Sequence, residues 1–114
     1  MKKIFLFCFI FLYSTITFAK TKEVVIFTQP NCPFCAKLKE DLSLSIVAKY
    51  PSVNFPIIDI TENKDNYKKL NEYVKKYNIN AREVGLPLIF VNDKYLMGWS
   101  DSNKKSFLQM LDEE

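Results

Sequence analysis

Apolar and polar positions are grouped so that most of the chain divides into short strands and amphipathic helices. Val24-Val25-Ile26-Phe27 is a continuous apolar run rich in β-branched residues, which predicts a strand over Val24–Thr28 buried on both faces. Thr28 to Asn31 reads as a loop broken by Pro30. From Pro33 to about Tyr50, Phe34, Leu38, Leu42 and Ile46 recur at every fourth position, with Lys37, Lys39, Glu40 and Asp41 between them. That spacing predicts a helix with one apolar face. Pro33 suits the first helical position and Pro51 stops the run. Val53–Ile60 predicts a second strand centred on residues 56–60, with Pro56 fitting an edge or the first residues of the strand. After a turn over Thr61–Lys64, Asp65–Tyr77 predicts a second helix, with Tyr67, Leu70, Tyr73 or Val74, and Tyr77 turned inward. Asn78–Gly85 is a polar loop. Leu88–Val91 and Tyr95–Met97 flank the turn Asn92-Asp93-Lys94 and predict a hairpin. Asp101 or Ser102 suits the cap of a last helix that turns Phe107, Leu108 and Leu111 inward.

The resulting order is β-α-β-α-β-β-α. A strand-helix-strand-helix start implies parallel pairing through right-handed crossovers, and the hairpin adds an antiparallel strand. The expected fold is a single α/β domain with a mixed four-stranded sheet flanked by helices.

The first nineteen residues stand apart. Lys2 and Lys3 precede an unbroken apolar run from Ile4 to Tyr13, and Thr17-Phe18-Ala19 offers small residues where a signal peptidase reads. Residues 1–19 therefore read as a secretory signal peptide, with residues 20–114 as the domain. The alternative is an uncleaved anchor, for which the run is short against the ~20 apolar residues that a bilayer core takes. Cleavage predicts an exported protein, periplasmic or secreted, with no stable membrane insertion. It also changes the charge. The whole chain carries +3, and losing two lysines leaves the domain near neutral, with acids and lysines interspersed. Nucleic acid is not an expected partner.

Cleavage sharpens the cysteine count as well. Of three cysteines, Cys8 leaves with the signal, so Cys32 and Cys35 are the domain's whole complement. Disulfides persist in exported proteins, but a pair three positions apart closes almost no loop and makes a poor staple. With no histidine in the chain, two cysteines do not complete a four-ligand zinc site on their own. A metal shared between two chains, or an idle disulfide in a binding domain, remains an alternative. A strand before the pair and a helix after it favour a redox disulfide, with Cys32 and Cys35 catalytic. At a helix N-terminus the partial positive charge and free N–H groups stabilise a thiolate, so Cys32 is expected to be the exposed nucleophile and Cys35 the buried resolving thiol. Leu86-Pro87 is the second element; its isomer is not legible in sequence.

Val25 through Cys35, then Gly85-Leu86-Pro87-Leu88-Ile89-Phe90-Val91, then Gly98-Trp99-Ser100-Asp101, together resemble a glutaredoxin of the thioredoxin superfamily over nearly the whole domain. The resemblance implies a thioredoxin-like fold and thiol-disulfide oxidoreductase activity, with glutathione as a possible co-substrate and no permanently bound cofactor. It implies that Pro87 is cis and faces the dithiol, and that Leu86 offers backbone groups to an extended substrate. Phe34 and Asp101 join Leu86, Pro87 and Trp99 as candidate substrate-binding residues.

Three positions differ from the family pattern. Thr28-Gln29-Pro30-Asn31 lacks the basic residue that helps to grip glutathione, Leu86 replaces a small or β-branched residue, and Trp99 stands where a second glycine is common. Trp99 has two readings, an apolar rim shared with Phe34 and Leu86, or packing against the last helix. The differences keep a second function open, a glutathione-independent oxidase or isomerase of protein disulfides in the cell envelope. The oligomeric state is not legible in the sequence.

Overall fold

β1 (Val24–Thr28) is apolar on both faces, and the fold surrounds it. In the computed structural model, which describes residues 22–113, the strand order is β2-β1-β3-β4. β1 pairs in parallel with β2 (Ile57–Asp59), Ile26 opposite Ile57, and antiparallel with β3 (Leu88–Val91), Phe27 opposite Leu88. β3 turns through Asn92, at φ 55°, into β4 (Lys94–Met97). Helices cover both faces. On one side α1 (residues 33–49) and α3 (Asp101–Asp112) bury Leu38, Leu42, Ile46, Phe107 and Leu111 against Val24, Ile26, Ile89 and Val91. On the other, α2 (Lys64–Lys76) brings Leu70 and Val74 onto Phe27, Leu88 and Phe90. Tyr73 and Tyr77 pack their rings at a tilt against Phe90, each with ring centroids 4.8 Å away.

The expected architecture is present, and the differences are local. The first helix, α1, is continuous over Pro33–Asp41, Leu42–Ile46 and Val47–Lys49, but its middle segment is π-helical. There the Ser45 hydroxyl donates to the Asp41 carbonyl at 3.3 Å, competing with the regular ladder. The second strand is shorter than expected, because Pro56 precedes it rather than joining it. Asn63 caps α2, its side chain accepting from the Asn66 N–H at 2.8 Å, so the helix begins at Lys64. Of the expected inward row on α2, Tyr67 is exposed. The loop after α2 contains a 3-10 turn, Ala81–Glu83, started by the Asn80 side chain. α3 is capped one residue earlier than expected. The Ser100 hydroxyl accepts from the Asn103 N–H at 3.1 Å, which makes Asp101 the first helical residue, where an acid complements the helix dipole. The expected signal segment, 1–19, with Cys8, lies outside the described residues. Among the described residues no helix is long and apolar enough to cross a membrane.

Phe107 is fully buried between Phe55 and Trp99. Phe107→Ala is expected to remove about 3–5 kcal/mol of stability through lost burial and a residual cavity. Urea unfolding measures it; a loss below about 1 kcal/mol would mean that this face of the core repacks freely.

Candidate dithiol site

The site begins where β1 hands over to α1. Asn31 takes a left-handed conformation at φ 59°, which asparagine tolerates, and turns the chain back on itself. Cys32 is extended at φ −113°, ψ 104°, and Pro33 opens the helix without an N–H to satisfy. The N–H of Cys35 is one of the first-turn donors that a helix leaves unpaired, and Cys32 Sγ accepts it at 3.1 Å. Cys32 is therefore the helix N-cap through its sulfur. The two cysteines form a disulfide across Cα atoms 5.2 Å apart. Cys32 is partly exposed and Cys35 is 1% exposed, so the two sulfurs have unequal access to a partner.

Phe34 does not join the inward row of α1. It is 58% exposed, beside Cys32, and Cys35 takes the buried place in that first turn. The four-residue spacing that predicted its burial holds for Leu38, Leu42 and Ile46.

Leu86-Pro87 faces the dithiol. The peptide bond is cis, and the Leu86 carbonyl oxygen lies 3.8 Å from Cys32 Sγ. Leu86 is half-buried and Pro87 is buried. The Pro87 carbonyl accepts from the Gly98 N–H at 2.8 Å. Gly98 sits at φ 80°, where a side chain would be strained. Asn103 Nδ2 donates to the carbonyls of Met97 and Gly98 at 2.7 and 2.9 Å, tying this corner to α3. Phe34, Met97, Gly98, Trp99, Ser100 and Asn103 border an open pocket of about 240 Å³. Asp101 is exposed at the start of α3, next to Ser100.

Trp99 is 4% exposed, with its ring in the core, and it borders the pocket together with Phe34. It meets Phe107 edge-on at 5.7 Å, and its indole N–H donates to Asp41 Oδ2 at 2.8 Å. The reading in which Trp99 packs against the last helix describes its side chain. Asp41 was not singled out in the sequence, where it reads as one of the polar residues between apolar positions; it is 8% exposed. Lys37 and Lys104 each place Nζ 3.7 Å from Asp41 Oδ1. The indole hydrogen bond chiefly holds the Asp41 carboxyl below its usual range, helped by the charges of Lys104 and Lys37 and opposed by burial. Asp41 therefore joins the helix carrying the cysteines to the corner that borders the pocket. Among the described residues, no group of three or more His, Cys, Asp or Glu is placed to hold a metal ion.

A carboxyl whose pKa falls on folding contributes stability above its unfolded value, about 3.8, and loses it as pH drops through the folded value. Asp41→Asn is expected to remove that part of the acid dependence, so the urea midpoint of the variant should change less than wild type below about pH 4. Trp99 is the only tryptophan and its fluorescence reports the transition. Equal acid dependence in both proteins would contradict the assignment.

Comparison with known proteins follows the same lines. The glutaredoxin family model matches residues 24–96. A search of curated proteins gave no match. Solved structures with the same fold include glutaredoxin grx-1 from Archaeoglobus fulgidus, 22% identical, covering 86% of this chain and 92% of that chain at a TM-score of 0.53. Thioredoxin O2 from Arabidopsis thaliana in its oxidized state is 22% identical, covering 82% of this chain and 76% of that chain at a TM-score of 0.55. A thioredoxin-like protein is 20% identical, covering 78% of this chain and 100% of that chain at 0.54.

Proposed function

The chain belongs to the glutaredoxin family and is a thiol-disulfide oxidoreductase, and we propose that it is an exported one, periplasmic or secreted, acting through Cys32 on extended thiol or disulfide partners. The observation that carries this reading is the unequal pair: Cys32 caps the helix and is partly exposed beside Leu86, while Cys35 is buried. In the reduced protein, the Cys32 thiolate attacks one sulfur of a substrate disulfide. A mixed disulfide forms and the other substrate sulfur leaves. Cys35 then attacks Cys32 Sγ, restores the internal disulfide and releases the second substrate thiol. The reverse sequence oxidises a substrate dithiol.

The backbone of Leu86 receives an extended substrate segment beside the sulfur, with Phe34 as an exposed apolar neighbour. Glutathione and protein thiols both present such a segment. Asp101, which follows the pocket-lining Ser100 at the start of α3, is the acidic group we assign to an amino group such as that of glutathione. Two features favour the second reading, a glutathione-independent oxidase or isomerase of protein disulfides. The loop before Cys32 has no basic residue, and Trp99 commits its side chain to Asp41 and Phe107.

Cys35→Ser is expected to accumulate a mixed disulfide with its partner, and Cys32→Ser to lose exchange altogether. Mass spectrometry of the trapped adduct and a turnover assay measure both outcomes; full activity in Cys32→Ser would contradict the mechanism. Turnover of a glutathione mixed disulfide supports the glutathione branch. Turnover of a scrambled protein without it selects the other.

A further inference from the structure

Thr28 is 1% exposed, and its hydroxyl oxygen has no hydrogen-bond partner among the described residues. Native folds rarely leave a buried hydroxyl unpaired, because it has given up water for nothing. Its position suggests when it is paired. Along β1, Val24 and Ile26 face the cluster that contains Leu38, Leu42 and Ile46 of α1, whereas Phe27 faces the opposite cluster. Thr28, two positions beyond Ile26, therefore points to the α1 side. After the reversal at Asn31, α1 runs back along β1. The layer over Ile26 and Val24 holds Leu38 and Leu42, and the turn before Leu38 holds Cys35, itself 1% exposed. Continuing the β1–β3 register from Phe27 opposite Leu88 brings Pro87 opposite Thr28, and a proline nitrogen donates nothing to it. On that turn of α1, Cys35 is the group whose hydrogen-bonding capacity changes with redox state. In the disulfide it is a weak acceptor, and as a thiolate it is a strong one.

We infer that Thr28 is a positioning residue for the resolving step, its hydroxyl donating to Cys35 Sγ as that sulfur becomes a thiolate. The inference deepens the dithiol mechanism above and rests on it. In the mixed disulfide, Cys35 loses its proton and attacks Cys32 Sγ. The Cys32–Cys35 bond forms as the bond from Cys32 to the substrate sulfur breaks, and the departing thiolate takes up a proton. The Thr28 hydroxyl is not consumed; it holds the attacking sulfur charged in a site that excludes water. In the oxidised protein the same hydroxyl is left unpaired, a cost that favours the reduced form.

The test uses reduced protein mixed rapidly with an aromatic disulfide whose released thiol absorbs visible light. The first equivalent reports attack by Cys32 and the second reports displacement by Cys35. Thr28→Val keeps the shape and removes the hydroxyl. It is expected to slow the second phase about tenfold, the loss of roughly one hydrogen bond to a charged sulfur, and to leave the first unchanged. Its reduction potential should move in the reducing direction, without loss of thermal stability in the oxidised form. Thr28→Ser, which keeps the hydroxyl, is expected to restore the second phase. Equal slowing of both phases, no slowing of either, or failure of Thr28→Ser to rescue would overturn the role of Thr28. Release of only the first equivalent by the wild type would instead overturn the dithiol mechanism, and the inference with it.

Discussion

In the proposed mechanism the attacking sulfur also closes the end of the helix. Cys32 Sγ accepts the Cys35 N–H at 3.1 Å, in a place where Ser, Thr, Asp or Asn usually puts an oxygen. A thiolate accepts that bond far better than a thiol does, and it sits at the positive end of the α1 dipole. Capping and reactivity are thus one interaction. The same turn fixes the division of labour, because the helix that places Cys32 at its mouth carries Cys35 into the core one turn later. Pro33 completes the arrangement by supplying no N–H that would compete for the cap.

That turn is held from three directions. β1 delivers it from the centre of the sheet, paired on both sides. The Leu86-Pro87 corner faces it from β3, and the Pro87 carbonyl binds Gly98, so the start of β3 and the end of β4 move together. Asp41 returns the connection from further along α1, through the indole of Trp99 and the charges of Lys37 and Lys104. A buried carboxylate is costly when alone. Here a donor and two cations share it, which is how a group so little exposed keeps its charge. Cys32 therefore faces the Leu86-Pro87 corner, with the exposed ring of Phe34 two residues along.

Most of this was legible in the sequence, for physical reasons. The apolar run of β1, the four-residue rhythm of α1 and the hairpin around Asn92 all follow from burial, which leaves a period in the residues. The cysteines were legible because their spacing has little structural use. What periodicity misses is set by contacts between distant segments. Phe34 falls in the apolar row of α1 by spacing, yet Cys35 takes the buried place in that first turn and leaves Phe34 exposed. Trp99 had two readings, and only the partner it finds 58 positions away on α1 decides between them. Asp41 looked like one more polar residue on a solvated face. Thr28 looked like the end of a strand, and its burial without a hydrogen-bond partner among the described residues is visible only in the folded chain. The choice of Ser100 over Asp101 or Ser102 as cap is a matter of a single residue, the scale at which helix ends are generally set by local geometry.

The central claim is that the helix end makes Cys32 a ready thiolate while the core protects Cys35. The pH dependence of iodoacetamide alkylation in the reduced protein, mapped by mass spectrometry, tests it most directly. The account predicts modification confined to Cys32, with a half-maximal rate well below the ~8.5 of an ordinary cysteine. Modification of both cysteines alike, or a midpoint at the ordinary value, would contradict it.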